Sequence, residues 1–295
     1  MAERSFTELA ERGLLTVAGE DRRAFLQGLI SNDIEKVAPS RAIYAALLTA
    51  QGKYLHDFFV AERDDTLILD GEAARLADLQ RRLALYKLRA KVTLAPEAGG
   101  LAVFAVFSGD VLAALGLPGE AGAARPYAGG IAFVDPRLAA LGARLIAPRD
   151  AGATALREAG FAAAEFAAYD RLRLSEGVPD GSRDLAIEKA ILLEAGFDEL
   201  NGVDWQKGCY IGQELTARTK YRGLVKKRLM PVRVEGTLPP PGTPVTLDGK
   251  EAGELRSGRD GIALALLRLD AVSGGQSLQA GEARITPVKP AWAQF

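Results

Sequence analysis

The sequence predicts an α+β protein whose last part is a small β-barrel or sandwich. Before Arg228, short strand-like runs mix with segments whose apolar residues recur every three or four positions, as in helices. After Arg228, strand-like runs are separated by turns rich in proline and glycine, such as Pro239–Gly242. This order favours a largely antiparallel α+β sandwich followed by an all-β unit.

The first third of the chain alternates between the two element types. A helix is predicted to begin at Gly19–Asp21 and to present an apolar face, and a second helix is predicted over Glu72–Lys87, where Leu83 and Tyr86 continue the apolar face. Strands are predicted at Leu14–Val17, Ile43–Leu48, Tyr54–Val60, Thr66–Asp70 and Lys91–Leu94.

A boundary is predicted at Pro96–Gly100, which is rich in turn-forming residues. The mixture of strands and helices then repeats as a smaller unit, and further helices are predicted over Phe161–Leu174 and Glu188–Leu193. The pieces of the smaller unit are Leu101–Phe107, Asp110–Leu115, Ile131–Val134, Arg144–Ala147 and Ala151–Ala159. The final strands are predicted at Leu229–Val234, Pro244–Leu247, Ile262–Leu269 and Arg284–Thr286.

The composition is that of an ordinary soluble globular protein, with 48% hydrophobic and 25% charged residues among 295. A formal net charge of -1 gives no overall reason to expect nucleic acid or a membrane as partner. One cysteine cannot form an internal disulfide, the first residues lack the order of a signal peptide, and no apolar run could span a bilayer. We therefore expect a cytoplasmic protein that does not bind membranes.

The counts of cysteine and histidine also limit the chemistry. With one cysteine and one histidine, His56, the chain alone cannot build a zinc site from four thiolates, or from two thiolates and two imidazoles. It cannot hold an iron–sulfur cluster by the usual four thiolates either. No Gly-x-Ser-x-Gly motif accompanies His56, which disfavours a hydrolase with a Ser-His-Asp triad. No metal site of its own is expected.

The stretch Lys207–Glu214, with the sequence KGCYIGQE, holds the only cysteine, Cys209. A cysteine reacts as its thiolate, and its pKa falls near cations, for which Lys207 and Arg218 are candidates. The two glycines of the stretch would let the backbone turn sharply or approach a ligand. Free cysteines are also among the most buried and inert residues, so spacing alone leaves both interpretations open.

The run Arg218–Arg228 follows the cysteine motif and contains six lysines or arginines among eleven residues, with no acid between them. A solvated surface is one interpretation of such a run. Because no acid neutralises these charges locally, an acidic ligand is favoured instead: carboxylates, phosphates or RNA.

These motifs resemble those of a known family. Lys207–Glu214 resembles the signature K-G-C-Y-x-G-Q-E of the YgfZ-type folate-binding proteins, which are relatives of the aminomethyltransferase (T-protein) of the glycine cleavage system. The C-terminal strands match only in their general character. Further segments that resemble the family are Phe25–Ile34, Gln51–Asp57, Leu172–Pro179 and Tyr221–Gly223.

The resemblance implies a ring-like fold of three domains around a hole that binds tetrahydrofolate. Two domains are α+β and the third is a small β-barrel. On this sequence the first domain corresponds to residues 1–95, completed by 165–227, the second to 96–164 and the barrel to 228–295.

The resemblance also implies the site residues. Asp57 aligns with an aspartate that touches the reactive part of the folate, and Tyr169 and Glu176, seven residues apart, fit the pair that holds the pterin. A carboxylate can accept two parallel hydrogen bonds from the pterin amino group and ring N–H. The cations of the predicted folate site are Lys207, Arg218 and Arg222.

The sequence departs from the aminomethyltransferases in two ways: His56 stands where they carry a first aspartate, and they lack the cysteine motif. Enzymatic turnover is therefore an open question. The resemblance predicts a monomeric, tetrahydrofolate-binding accessory protein that supports iron–sulfur cluster assembly or repair in client enzymes, including those that thiolate tRNA, with Cys209 as functional thiol. One alternative is a folate-dependent one-carbon transferase in which Asp57 positions the amine. Another is an RNA-binding module that uses Lys220–Arg228, and a weak tRNA contact is compatible with each.

Overall fold

The computed structural model describes residues 3–223, 225–273 and 277–294. The chain forms two compact units, each made of separate stretches of sequence. None of the helices in these ranges combines the length and the apolar character needed to cross a membrane. Unit 1 comprises Met1–Leu47, His56–Tyr169 and Asn201–Ile211, and unit 2 comprises Leu48–Leu55, Asp170–Leu200 and Gly212–Phe295.

The first part of the chain forms two sheets. The strand order is β3-β4-β5-β2-β6 in the five-stranded sheet and β11-β1-β7-β10-β9-β8 in the six-stranded sheet. The strands β1 to β11 run over Ser5–Glu8, Arg12–Ala18, Ile43–Leu48, Tyr54–Arg63, Thr66–Glu72, Thr93–Pro96, Leu101–Phe107, Ala124–Tyr127, Gly130–Val134, Ala143–Pro148 and Ala162–Ala163. The helices α1 to α5 run over Arg22–Gln27, Leu76–Ala84, Val111–Ala114, Arg149–Glu158 and Phe166–Ser175.

Strand β4 shows how the sequence places side chains on two faces. Successive side chains of a strand point to opposite faces. His56 accordingly meets Asp78 of α2, whereas Asp57 meets Tyr44 of β3. Phe59, on the same face as Asp57, packs against Phe133 of the six-stranded sheet, with 6.3 Å between ring centroids. The face that carries Asp57 and Phe59 therefore looks toward the other sheet of unit 1.

Unit 2 contains a closed barrel in the order β12-β15-β14-β13-β16-β17. Its core is apolar and includes Val232, Leu255 and Ile285, all fully buried, and closure leaves no unpaired strand edge. The strands β12 to β17 run over Lys227–Glu235, Pro244–Leu247, Lys250–Arg259, Ile262–Arg268, Leu278–Ala280 and Ala283–Pro287. Helices α6 and α7 run over Gln213–Tyr221 and Leu269–Val272. Short 3-10 turns occur at Ile34–Lys36, Ala73–Arg75, Ala139–Leu141, Gly181–Arg183 and Leu192–Ala195.

The predicted α+β character and the C-terminal barrel are confirmed. The predicted helix Glu188–Leu193 is wrong, because Glu188 has a φ of 60° and only a 3-10 turn follows, at Leu192–Ala195. The predicted helix over Phe161–Leu174 begins only at Phe166. The three domain boundaries stay a prediction.

Two further differences concern the ends of predicted helices. Ala162 and Ala163 pair with β1 as a short strand and so cannot begin a helix. Tyr86 is 44% exposed rather than buried, because α2 already ends at Ala84. In both cases the apolar spacing predicts the element, and its ends are decided by contacts distant in sequence.

Candidate functional site

The first five residues of the cysteine motif, Lys207–Ile211, lie at the end of a segment of unit 1, Asn201–Ile211, which we call the cysteine loop. Two buried polar side chains hold its beginning. The Ser31 hydroxyl donates to the Gly202 carbonyl at 2.6 Å, and the Asn32 amide donates to the Asn201 carbonyl at 2.8 Å. The Ser31-Asn32 part of Phe25–Ile34 is thus explained as an anchor for the cysteine loop.

Lys207 anchors the loop next to the cysteine. Its Nζ donates to the backbone carbonyls of Gln27, Ile30 and Asn32 at 2.7, 2.7 and 2.8 Å. An ammonium has three N–H donors, so these bonds use all of them. Burial lowers the pKa of Lys207 to about 8, which still leaves the group charged at neutral pH. Lys207 was predicted as a folate-binding cation, and the structure shows its charge engaged within the protein.

Cys209 itself is exposed. The residue after it, Tyr210, is buried, with its ring centroid 5.1 Å from the Nζ of Lys207. The backbone N–H of Ile211 donates to the Gly28 carbonyl at 3.1 Å. The thiol therefore projects outward from backbone that is fixed on both sides. Of the two interpretations that the sequence leaves open, burial of the cysteine is excluded, and its role as a functional thiol stays a prediction.

The two glycines of the motif differ in their surroundings, which gives a first testable prediction. Gly212 has a φ of 82°, and a Cβ there would lie 2.4 Å from the Thr49 carbonyl oxygen. We expect Gly212→Ala to lower the free energy of unfolding by about 2 kcal/mol or more, because a left-handed backbone with a clash is costly. Urea denaturation measures this. Gly208, where a Cβ would meet nothing within 4 Å, is the matched control, and equal losses in the two variants would contradict the argument.

A second feature of unit 1 is a group of buried charges that we call the ion-pair cluster. It joins the two sheets, because Arg144 of β10 donates to Asp70 of β5 at 2.8 Å. Arg12 of β2 donates to the other oxygen of Asp70 at 2.6 Å. The charged members of the cluster are Arg12, Asp57, Asp70, Asp135, Arg137 and Arg144.

Two predicted site residues belong to this region. The Asp57 carboxylate accepts a hydrogen bond from the Tyr44 hydroxyl at 2.8 Å. Arg137 donates to the Tyr169 hydroxyl at 3.3 Å and lies over the ring of Tyr44, 5.6 Å from its centroid. The structure thus connects Asp57 and Tyr169 through Tyr44 and Arg137.

The electrostatics of the cluster are balanced by its arginines. Burial pushes the pKa of Asp135 upward, but attraction from Arg137 and Arg144 outweighs this and leaves the pKa below its usual value. Burial, with the negative charge of Asp57 nearby, raises the pKa of Tyr44 well above its ordinary value. The tyrosine is therefore a neutral hydrogen-bond donor to Asp57.

The arginines of the cluster were not predicted from the sequence. The available signal was a charged residue inside a predicted buried strand, since such residues are almost never fully buried without a partner. Arg144 opens the predicted strand Arg144–Ala147 and Asp70 closes Thr66–Asp70. Each of these two residues would have suggested that a residue of opposite charge lies next to it in the fold. Neither would have indicated which residue that is.

The other predicted site residues lie in unit 2. Glu176 follows α5 and is half-buried, and its backbone carbonyl accepts a hydrogen bond from Trp292 Nε1 at 2.7 Å. Arg218 on α6 and Arg222 just after it are exposed, while Leu224 of the same basic run lies outside the described residues. The predicted pterin pair, Tyr169 and Glu176, is thus divided between the two units, and the roles of these residues stay predictions.

His56 gives a prediction about pH. Its Nε2 lies 2.9 Å from an oxygen of Asp78, and burial, with help from Arg75, lowers its pKa to about 4. The unfolded chain, with a histidine pKa of about 6.5, binds the proton more readily, so stability should fall as pH drops from 6.5 to 4. Over that window we expect a loss of about 3 kcal/mol.

Denaturant titrations of the wild type and His56→Gln between pH 4 and pH 7 measure this loss. Glutamine can still donate to Asp78 but does not titrate. The variant should therefore lose much less stability than the wild type across the window. Parallel curves would mean that His56 is as easily protonated in the folded protein as in the unfolded chain.

Within residues 3–223, 225–273 and 277–294, no group of three or more histidine, cysteine, aspartate or glutamate side chains is placed to hold a metal ion. Cys209 is thus a solitary thiol in the part of the chain that the structure describes.

Comparisons with known proteins cover most of the chain. The mouse protein named iron–sulfur cluster assembly factor IBA57, mitochondrial, is 34% identical over 307 residues, which span 95% of this chain and 83% of the relative. The human protein of the same name is 37% identical over 291 residues, spanning 92% and 79%. A homologue from Aspergillus clavatus is 33% identical over 321 residues, spanning 90% and 70%.

The fold has a counterpart among solved structures. The glycine cleavage system aminomethyltransferase T from Bartonella henselae matches with a TM-score of 0.78 at 16% identity, over 98% of this chain and 86% of that chain. At this identity the match shows the fold alone, and it confirms the predicted aminomethyltransferase fold. A sequence profile described as the CAF17 C-terminal beta-barrel domain matches residues 226–295.

One prediction is corrected by these relatives. All three are named as mitochondrial proteins, so the expected cytoplasmic location is wrong and the relatives point to the mitochondrion. The resemblance to the wider folate-related family is confirmed at the level of the fold. With 37% identity to a human protein of which it covers 79%, the chain belongs to the IBA57 family of iron–sulfur cluster assembly factors.

Proposed function

We propose that this protein is an accessory factor in the assembly or repair of iron–sulfur clusters in client enzymes, and that Cys209 is its functional thiol. The names of its relatives support the assembly role. The single observation that carries the role of Cys209 is its exposure on a loop fixed by the three hydrogen bonds of Lys207. A thiol placed in this way can reach a partner protein.

The chemistry follows from the isolation of the thiol. Thiolates are soft ligands that suit iron and iron–sulfur clusters, and Cys209 supplies one such ligand. The other ligands of a cluster would come from the client, so the contact is transient, with an exposed iron or a persulfide of the client. The fixed backbone reduces the freedom that the side chain loses on contact, which is the benefit of a preorganised ligand.

The finer parts of this proposal concern partners. Clients that thiolate tRNA follow from the resemblance, and a weak tRNA contact is supported by the exposed cations of Arg218 and Arg222. We further propose that the protein is a monomer. Light scattering tests the oligomeric state, and RNA titration at two salt concentrations tests the contact, since phosphate binding weakens steeply with salt.

Tetrahydrofolate is the cofactor that the resemblance implies, and the residues of unit 1 can be tested for fit. A pterin needs a carboxylate acceptor, but Asp57 is already bonded to Tyr44, and Asp70 and Asp135 are paired with arginines. A pterin held by these residues would have to displace contacts that satisfy them. They do not fit the group as they stand, and the proposed action of Cys209 is independent of folate.

The assembly role is tested by Cys209→Ala. A client enzyme with a [4Fe–4S] cluster is expressed together with the variant in cells that lack the native protein. We expect the cluster content of the client to fall about tenfold or more, because the transient ligand is missing. Circular dichroism and urea denaturation of the variant should be unchanged, since the thiol is exposed. Gln206→Ala, an exposed position of the same loop, is the control, and full maturation by Cys209→Ala would remove the thiol from the proposal.

Folate is tested separately, by calorimetric titration of tetrahydrofolate into the wild type and Glu176→Ala. If the Glu176 carboxylate holds the pterin, affinity should fall about tenfold or more, because a hydrogen bond to a charged group is typically worth about 1.5–3 kcal/mol. Identical curves would exclude Glu176 from the site. Absence of binding to the wild type would remove folate from the function and leave the role of Cys209 standing.

A further inference from the structure

Unit 2 contains a cavity of about 430 Å³ that includes none of the predicted folate residues and not Cys209. Its walls come from the connection between β3 and β4, from segment 184–195 and from the barrel strands β12, β14 and β15. All of these residues belong to unit 2. The volume falls within the range of about 300–1,000 Å³ that is usual for small-molecule sites.

Three lysines line this cavity: Lys53, Lys189 and Lys227. In the part of the chain that the structure describes, their ammonium groups make no hydrogen bond and no ion pair within 4.0 Å, although the charges of Lys53 and Lys227 act on Glu194. Lysines normally remain unpaired only in solvent or where a ligand supplies the opposite charge. Here Lys53 and Lys227 are half-buried and Lys189 is exposed, and all three line one concave space.

The acids of the cavity do not neutralise these lysines. Asp184 accepts hydrogen bonds from Arg173 and Ser257, each at 2.5 Å, and Glu254 accepts one from Arg256 at 2.7 Å. Glu194 is the remaining acid, and burial raises its pKa even though Lys227 and Lys53 act in the opposite direction. With three lysines against Glu194 as the one lining acid among the described residues that is not paired with an arginine, the cavity carries a net positive charge.

A buried donor adds an independent observation. The Nε of Arg256, which lines the same cavity, is buried and has no hydrogen-bond partner within the described residues. A buried N–H left without an acceptor typically costs about 1–3 kcal/mol. An oxygen-rich ligand would satisfy this group together with the lysines.

We propose that this cavity binds a phosphorylated small molecule. Lysine ammonium groups act as point charges that suit phosphate oxygens, and the Nε–H of Arg256 supplies a further donor. The apolar wall, which includes Ile191, Leu229 and Leu266, would contact the carbon skeleton of the ligand. Glu194 would accept a hydrogen bond from a hydroxyl or amino group of the ligand. The inference does not depend on the role in cluster assembly.

The test is calorimetric titration of inorganic pyrophosphate into the full-length protein and three variants. We expect Lys53→Gln and Lys189→Gln each to weaken binding about tenfold, because each removes a charge-assisted contact. Lys250→Gln, at an exposed lysine of the same unit that does not line the cavity, should bind like the wild type. Equal affinity in all four proteins, or no binding to the wild type, would overturn the proposal.

Citrate in a parallel titration separates phosphate from carboxylate chemistry. Weaker binding of citrate supports the phosphate assignment, and equal or tighter binding overturns it. Acetylation of lysines followed by mass spectrometry locates the site without substitutions. Pyrophosphate should protect Lys53, Lys189 and Lys227 and leave Lys250 reactive, whereas protection of none of the three would exclude the cavity as the binding site.

Discussion

Replacing Arg144 by methionine should lower the free energy of unfolding of this protein by about 3–5 kcal/mol, the usual cost of breaking a buried ion pair from one side. Arg144 is 3% exposed, donates to Asp70 at 2.8 Å and lies over the Phe59 ring, 3.8 Å from its centroid. Methionine keeps much of the volume but leaves buried carboxylates with one cation fewer. The excess negative charge has no solvent to stabilise it.

Urea denaturation at pH 7 measures this loss, and Arg149→Met is the matched control. Arg149 also pairs with a carboxylate, that of Glu8, but its side chain is 63% exposed. Exposed pairs of this kind are typically worth about 0–1 kcal/mol. If Arg144→Met lowered the free energy of unfolding as little as Arg149→Met does, solvent would have to reach the ion-pair cluster.

The sequence predicted those parts of the molecule that depend on local pattern. The barrel strands are separated by Pro/Gly turns, and that spacing alone predicted four of the six, which correspond to β12, β13, β15 and β17. The cysteine motif stands out because Cys209 is the only cysteine. The anchoring of its loop was not predictable, since Lys207 reaches carbonyls about 175 residues away in sequence.

The ion-pair cluster escaped prediction for the same reason. Arg12 and Asp70 are 58 residues apart, and Arg144 and Asp70 are 74 apart. Periodicity indicates which face of a strand is buried, but it does not indicate which charges meet across two sheets. The pairing depends on the register and packing of the sheets, which are properties of the whole unit.

Segment 186–195 shows how such pairing also overrides local preference. Its residues have helical spacing, but the Glu188 N–H donates to the Tyr54 carbonyl and the Tyr54 N–H donates to the Ala190 carbonyl, at 2.8 and 3.0 Å. These bonds to the start of β4 go with a tight turn at 186–190, in which the Lys189 and Ala190 N–H groups donate to the Ala186 carbonyl and Glu188 adopts a positive φ. A helix there would lose both bonds. The same segment forms one wall of the lysine-lined cavity.

Asp170→Asn should have an effect in unit 2 as large as that of Arg144→Met in unit 1, about 3–5 kcal/mol. Asp170 on α5 is fully buried, and its carboxylate accepts hydrogen bonds from Arg173 and Arg259, each at 2.9 Å, and from Arg183 at 3.0 Å. Asparagine keeps the shape of the side chain but removes the negative charge. It also turns an N–H₂ group toward a guanidinium, where two donors meet without an acceptor.

The pH dependence distinguishes this charge effect from a loss of packing. Burial pushes the pKa of Asp170 upward, but hydrogen bonds from Arg183 and attraction from Arg173 leave it below its usual value. An aspartate of this kind stabilises the fold above the pKa of the unfolded chain, about 3.9, and the contribution is lost as pH falls through the lower folded pKa. The difference between wild type and Asp170→Asn should therefore be full at pH 7 and should shrink in strong acid.

Asp260→Asn provides the comparison, because the Asp260 carboxylate is exposed and lies 3.7 Å from the guanidinium of Arg171. Arg171 follows Asp170 on α5. We expect it to change stability by less than about 1 kcal/mol at either pH, as is usual for surface pairs. If the loss of stability caused by Asp170→Asn were independent of pH, the changed shape of the side chain rather than its lost charge would explain it. A loss that shrinks in acid, beside an unaffected Asp260 variant, would show that a single buried carboxylate holds three arginines of unit 2 in place.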